Sequence, residues 1–179
     1  MKNSEKISLA NHAEGYWSDH WHYNMDLIEA YLAIFPDKMD KMLFENNSYT
    51  FYDDFHLVEP RNNKYVLFEG VPKQFNSVYK DAEKENLIKT REINPNITRT
   101  NFGKGEIYKT NLLNKLLSLL VNKYSSLDPE GIGVEMETDK PNWCDALNGL
   151  PGIFGSSTAE SLELQRLLEL LKKMLSETN

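Results

Sequence analysis

The segment that most constrains the fold is a leucine-rich stretch at residues 109–127, KTNLLNKLLSLLVNKYSSL. A helix that packs one face against a core carries its apolar residues on a single stripe, whereas here they cover much of the circumference. We therefore expect a helix that is buried on more than one side. The apolar residues concerned are Leu112, Leu113, Leu116, Leu117, Leu119, Leu120 and Val121.

Apolar spacings of three and four residues predict further helices. The first begins at Ser18 or Asp19, both good N-cap residues, and ends before Pro36, after which DKMDKMLFE forms a shorter helix. The last helix opens with a capping box at residues 157–160, Ser-Thr-Ala-Glu. The expected buried positions are Trp21, Met25, Ile28, Leu32 and Phe35 in the first helix and Leu164, Leu167, Leu168, Leu171, Met174 and Leu175 in the last.

The segments between these helices are less periodic. Residues 46–75 are rich in aromatic and β-branched residues and form either short strands or an extended loop. Residues 77–91 predict a mostly solvated helix, and residues 92–107 a loop. Residues 128–155 form a long connection, and long loops that hold apolar and aromatic residues are often functional. The expected fold class is mainly all-α, one domain over residues 1–179, with short β segments around residues 48–71.

Composition excludes several classes of protein. The net charge of −7 argues against non-specific nucleic-acid binding, which needs clustered lysine and arginine. No apolar run is long enough to span a bilayer, and the first fifteen residues lack the apolar core of a signal peptide. The single cysteine requires no oxidising compartment. We therefore expect a soluble, cytoplasmic protein with neither membrane nor nucleic-acid partners.

Aromatic residues cluster in GYWSDHWHYN, residues 15–24, and in YTFYDDFH, residues 49–56. Rings interleaved with Asp, His and Asn suit a sugar, whose C–H faces stack on rings while its hydroxyls need polar partners. The alternative is that most of these rings belong to the core. The candidate substrate-binding residues are Trp17, Asp19, His20, Trp21, Tyr23, Glu135, Trp143 and Asn148.

The candidate catalytic residue is Asp145, in the stretch PNWCDALNGLPGIFGSS. Glycosidic cleavage needs a proton donor on the leaving oxygen, usually a carboxyl group in an apolar setting. Asp145 follows Trp143 closely and precedes Ala146 and Leu147 in a loop. The alternative role is an N-cap for a short turn over ALNGL.

Two other chemistries are weaker. Cys144 is a poor candidate nucleophile, because no histidine is near it in sequence and the neighbouring Asp145 raises the pKa of a thiol. The acidic and histidine residues at 19–22 and 53–56 include metal-ligand types, but their spacing matches no known metal motif, so no metal is expected. Ser156 and Ser157, at the start of the last helix, are the candidate phosphate-binding residues, since a helix N-terminus can hold an anion.

The stretch NWCDALNGL resembles the Trp-Asn-Asp loop of the cellobiose phosphorylase family. The longer segments EGYWSDHWHYNMDLIEAYLAIFPD, YTFYDD, GEIYKTNLLNKLLSLL and CDALNGLPGIFGSS resemble large bacterial proteins described as cellobiose-phosphorylase-like. The resemblance covers the chain from about Asn11 to Leu170. In one respect the chain departs from the family's loop, because Cys144 stands where the family has asparagine.

The resemblance implies a partial (α/α)6 toroid of helical hairpins that cleaves β-glucosidic bonds with inversion. Inorganic phosphate would be the co-substrate, with no other cofactor, and an oligosaccharide the substrate. Asp145 matches the family's general acid, and Trp143 matches a ring that contacts the sugar. A six-hairpin barrel has more helices than this chain provides, so we expect a fragment that self-associates or joins the rest of a larger barrel. The alternatives are a non-catalytic carbohydrate-binding or structural module, and an inverting hydrolase with a second carboxylate.

Overall fold

The computed structural model describes residues 20–74, 78–135 and 156–178, and the fold is mainly α-helical, as expected. The α-helices are α1 (His20–Ile34), α2 (Arg61–Lys64), α3 (Ala82–Lys89), α4 (Leu112–Ser125) and α5 (Thr158–Glu177). A 3-10 turn at Pro36–Lys38 and a π-helical turn at Lys41–Glu45 follow α1, where a short helix was expected. The arrangement of hairpins in a toroid stays a prediction.

One hydrophobic core joins the first helix, the π-helical turn and the two longest later helices. Leu43 from the π-helical turn and Leu167 from α5 are both 0% exposed, so they lie at its centre. An ion pair between Arg166 and Asp26 closes the outer side of the contact between α5 and α1. The buried members of this core are Trp21, Met25, Ile28, Leu43, Leu112, Leu116, Leu164, Leu167, Leu171 and Met174.

Burial of the helices is narrower than their sequences predict. Leu112 and Leu116 are the buried leucines of α4, and four further leucines of this helix are partly buried against the core: Leu113, Leu117, Leu119 and Leu120. The expected burial is wrong for Val121, which is 62% exposed. Leu168 and Leu175 of α5 are each 43% exposed, on the side of the helix away from the core. Helix α4 packs against α5 and the π-helical turn.

The strands form three antiparallel pairs among the described residues. They are β1 (His56–Val58) with β4 (Val78–Lys80), β2 (Tyr65–Phe68) with β3 (Val71–Gln74), and β5 (Val134–Glu135) with β6 (Ser156–Ser157). The β2–β3 hairpin turns through two residues with positive φ, Glu69 at 51° and Gly70 at 77°. This backbone follows the twist of the strands in a two-residue hairpin. The expectation of short β segments in this region is confirmed.

The expected helix over residues 77–91 is wrong at its start. Val78–Lys80 is a strand, and α3 begins at Ala82. Two interactions set this boundary. Tyr79 pairs with Leu57 in the ladder, and the side chain of Asp81 accepts a hydrogen bond from the backbone N–H of Lys84 as an N-cap.

An arginine organises the loop that follows α3. Arg91, whose side chain is 5% exposed, donates to Asp53 Oδ2 at 2.8 Å, to the carbonyl of Pro95 at 2.7 Å and to that of Gly103 at 3.0 Å. Gly103 has φ +86°, and a Cβ there would lie 2.7 Å from Arg91 Nη2, so the close approach requires glycine. Lys84 Nζ adds a second cation 2.9 Å from Asp53.

The central position of Leu167 predicts a large effect of truncation. Leu167→Ala should lower the free energy of unfolding by about 3 kcal/mol, because it removes buried methyl groups and leaves a cavity. Leu168→Ala, at the exposed neighbouring position, is the matched control and should cost less than about 1 kcal/mol. Denaturant unfolding of both variants measures the difference, and equal losses would contradict the described core.

The Asp53 cluster predicts a dependence of stability on acid. Burial opposes ionisation of Asp53, but hydrogen bonds from Lys84 and Arg91 outweigh it and lower the pKa of the carboxyl group. Because that pKa is lower in the folded than in the unfolded chain, the contribution is present above about pH 4 and is lost as the pH falls through the folded value. Asp53→Asn should therefore cost about 3 kcal/mol at pH 7 and progressively less in acid.

Unfolding of wild type and Asp53→Asn between neutral pH and strong acid tests this expectation. Glu169→Gln, at an exposed carboxylate paired with Lys172 on the outside of α5, is the control and should unfold like wild type at every pH. A constant difference between Asp53→Asn and wild type down to the lowest pH would contradict the prediction.

Candidate functional site at the N-terminal ends of helices α1 and α5

A hydrogen bond joins the first turns of two helices that are far apart in sequence. Trp21 Nε1, near the start of α1, donates to Glu160 Oε2, near the start of α5, at 3.0 Å. The two residues are 6% and 3% exposed, so the bond lies inside the protein. The N-terminal ends of α1 and α5 therefore lie side by side.

The same carboxylate also binds the last turn of α4. Lys123 Nζ lies 3.3 Å from Glu160 Oε2 and 5.3 Å from the centre of the Trp21 ring, a distance typical of a cation–π contact. His22 Nε2 lies 3.4 Å from Glu160 Oε1. A buried carboxylate is costly unless a cation and hydrogen bonds compensate its charge, and here Lys123 and Trp21 do so.

Ser157 caps α5, as the sequence predicts. Its hydroxyl accepts a hydrogen bond from the backbone N–H of Glu160 at 3.3 Å. In a capping box the acidic side chain turns back toward the cap residue. In this protein the carboxylate of Glu160 extends instead to Trp21 and Lys123, so the residue links three helices.

Strands β5 and β6 lie next to this end of α5. Glu135 pairs with Ser156 in the ladder, is 9% exposed, and forms an ion pair with Arg61 Nε at 3.1 Å. The hydroxyl of Ser156 donates to Asp128, and this bond, with backbone N–H groups of the same loop, lowers the pKa of the Asp128 carboxyl group. The polar side chains here are thus held by specific partners.

The structure brings together the described members of the predicted site. His20, Trp21 and Tyr23 lie in the first turn of α1, and the ladder pair of Glu135 and Ser156 precedes Ser157 and α5. Trp21 is buried, whereas Tyr23 is 61% exposed. The remaining predicted residues lie outside the described residues, as does Cys144; they are Trp17, Asp19, Trp143, Asp145 and Asn148.

The two segments that contain those remaining residues join the described chain near this end of the core. The segment that contains Trp143 and Asp145 runs from Glu135 to Ser156, and these two residues lie opposite each other in the β5–β6 pair. Trp17 and Asp19 immediately precede α1, whose first turn is bonded to α5. Both candidate sugar-binding segments therefore connect to one end of the helical core.

Sequence reasoning missed three residues that build this end: Glu160 as a link between helices, Lys123 and Arg61. Glu160 carries a recognisable signal, the capping box, but that signal predicts a local bond rather than one to Trp21. Lys123 lies near the C-terminus of α4, where the helix dipole favours a cation, so the sequence does not indicate that Lys123 binds Glu160. Nothing in the sequence pairs Arg61 with Glu135.

The described acidic and histidine residues that were considered as metal ligands take part in separate interactions. Asp53 is bound by Arg91 and Lys84, and His56 Nδ1 lies 3.1 Å from Asp54 Oδ2 in a separate pair. Within residues 20–74, 78–135 and 156–178, no three such side chains come close enough to hold a metal ion together.

Comparison with family models, curated proteins and solved structures found no match for this chain. None of the described helices has the length and apolar character needed to cross a membrane.

The buried Trp21–Glu160 bond predicts energetic coupling between α1 and α5. Trp21→Phe keeps an aromatic ring but removes the donor, and Glu160→Gln keeps the shape but removes the charge. A double-mutant cycle in denaturant should give a coupling energy of about 1–2 kcal/mol, as expected for a hydrogen bond to a charged group. Tyr31→Phe with Glu160→Gln is the control pair, and a coupling no larger than the control's would contradict the bond.

Proposed function

We propose that the protein is a carbohydrate-active enzyme that cleaves β-glucosidic bonds with inversion, by phosphorolysis to a sugar 1-phosphate, with Asp145 as the general acid. The observation that carries the proposal is connectivity: the Trp143–Asp145 segment leaves and rejoins the fold at the Glu135–Ser156 pair. That pair precedes α5, whose first turn is bonded to the aromatic and histidine-rich start of α1. In the proposal, rings and hydroxyl-binding groups from both segments contact one sugar.

The chemistry needs a single carboxyl group from the protein. A protonated Asp145 gives its proton to the glycosidic oxygen as the bond to the anomeric carbon breaks. Phosphate attacks that carbon from the opposite face, which inverts its configuration and gives the sugar 1-phosphate. Trp143, two residues before the acid, would stack on the sugar and keep water from the acid, which favours its protonated form.

The other buried carboxylates favour phosphorolysis over hydrolysis. An inverting hydrolase needs a second carboxylate as a base to activate water. Among the described residues, the buried carboxylates Asp53, Glu135 and Glu160 are each paired with a cation. Charges held in this way stabilise the fold, and a hydrolytic base would have to come from elsewhere.

The start of α5 supplies groups suited to phosphate. The first N–H groups of a helix carry partial positive charge and bind anions. The hydroxyl of Ser157 accepts from the backbone of Glu160, which leaves its own proton available as a donor. Ser156 already donates to Asp128, so in the proposal it contributes mainly its backbone position.

The same observations define the second candidate, a carbohydrate-binding module without turnover. It is favoured by the pairing of every buried carboxylate in the described part of the chain with a cation, because a carboxylate held in this way does not act as an acid or a base. Both candidates fit a partial (α/α)6 barrel, since the mainly α fold with a shared core of α1, α4 and α5 supports helical hairpins. Turnover distinguishes the two.

Release of sugar 1-phosphate from β-linked gluco-oligosaccharides, with and without inorganic phosphate, tests the proposal. Phosphate-dependent release is expected, and Asp145→Asn should lower kcat by about 100-fold to 10,000-fold, because the leaving group loses its proton donor. Cys144→Ala is the matched control one residue away and should keep most of the activity.

Three other outcomes separate the alternatives. Sugar release that does not require phosphate would indicate a hydrolase. Sugar binding without turnover, unchanged in Asp145→Asn, would indicate the binding module. Loss of activity in Cys144→Ala but not in Asp145→Asn would overturn the role of Asp145 in favour of a thiol enzyme.

A further inference from the structure

A groove of about 940 Å³ runs along the surface between α1 and α4, closed at one side by the π-helical turn and residues 49–52. One wall carries Asn24, Ile28 and Tyr31 of α1, and the other carries Leu112, Leu116 and Leu119 of α4. The residues named on each wall are spaced four and then three positions apart, as on one face of a helix. Two helix faces with this spacing form the hole into which the side chains of a third helix fit.

Large apolar side chains in the groove are exposed to solvent. Leu27, on the rim of the α1 wall, is 68% exposed, and Tyr31 is 41% exposed. Exposed apolar residues that lie singly are common, but a continuous apolar groove usually marks a binding surface. The open shape and the helical repeat of both walls fit an elongated occupant that carries its own periodic apolar stripe.

The charged side chains that line the groove in the described part of the chain all have one sign. Lys38, Lys41 and Lys115 line it, and none of its described lining residues is an aspartate or glutamate, although the chain has 27 acidic residues against 20 basic ones. Lysines that line an apolar groove favour a partner with negative charge, because its carboxylates can pair with them at the edge of the apolar contact.

The three lysines differ in how fully their charge is compensated. Lys38 is paired with Asp37 at 2.6 Å. Lys115 donates to the carbonyl of Thr50 and lies 4.3 Å from the centre of the Phe51 ring, and burial lowers the pKa of its amino group. In the part of the chain that the structure describes, no carboxylate forms an ion pair with Lys115 or Lys41. A carboxylate from a partner would supply the missing charge.

We propose that this groove binds an amphipathic α-helix with acidic side chains, supplied by another polypeptide. Its apolar residues, spaced four and three apart, would pack between Tyr31 on one wall and Leu119 on the other, and its flanking carboxylates would reach Lys41 and Lys115. The inference does not depend on the proposed phosphorolysis, because no residue of the groove belongs to the candidate catalytic site.

The test uses the full chain and two capped synthetic peptides of about four helical turns each. Both carry the same leucine stripe, and one has glutamate at the flanking positions where the other has lysine. Fluorescence anisotropy of the labelled peptides should show the acidic peptide binding at least about tenfold more tightly, and raising the salt concentration should reduce this preference. Equal binding of the two peptides, or binding of neither, would overturn the proposal.

Variants locate the binding surface. Leu27→Glu places a carboxylate in the groove at a position that is already exposed, so the fold should persist while binding of the acidic peptide weakens by at least about tenfold. Leu162→Glu is the matched control, since Leu162 is 66% exposed on α5 outside the groove. Lys115→Met should weaken the acidic peptide selectively, and circular dichroism verifies folding of each variant.

Two results would contradict the inference despite a measurable affinity. Equal loss of binding in Leu27→Glu and Leu162→Glu would mean that the peptide adheres to apolar surface in general. A self-associated wild type that Leu27→Glu converts to monomers in sedimentation velocity, with no peptide binding to either, would assign the groove to a second copy of the chain instead.

Discussion

The buried carboxylate of Glu160 is the interaction on which the arrangement of the helices depends. Trp21 of α1 and Lys123 of α4 both reach it, and it is itself fixed by the first turn of α5. Apolar contacts alone would allow these helices to slide or rotate by small amounts. A charge that must be compensated at one point fixes their relative register, because any displacement leaves a buried ion without its partners.

Three buried carboxylates each organise a different region in the same way. Asp53 binds Arg91 and the loop after α3, Glu135 binds Arg61 beside the β5–β6 pair, and Glu160 joins the helices. The division has a consequence for function. The described scaffold uses its buried negative charges for structure, so the proposed chemistry depends on the carboxyl group of the segment between Glu135 and Ser156.

Local patterns predicted the elements, and the long-range links could not be read from them. Apolar spacing identified α1, α4 and α5, and the capping box identified Ser157. The sequence does not predict the strand at Val78–Lys80, because the polar and charged residues that follow it belong to α3 and no local signal separates the two elements. The strand is defined by its pairing with β1. Trp21 and Glu160 are 139 residues apart, and no periodicity relates them. The sequence predicts the individual candidate residues of the site. That the first turns of α1 and α5 lie side by side follows only from the bond between Trp21 and Glu160.

The antiparallel pairing of Glu135 with Ser156 has a consequence for how this protein can vary. Glu135 and Ser156 are opposite residues of the β5–β6 pair, so their pairing closes a loop in the chain. The entropy of closing such a loop grows only with the logarithm of its length, and doubling it costs about 0.6 kcal/mol. Insertions and substitutions between these two residues therefore cost the fold little free energy, while the helices keep their register.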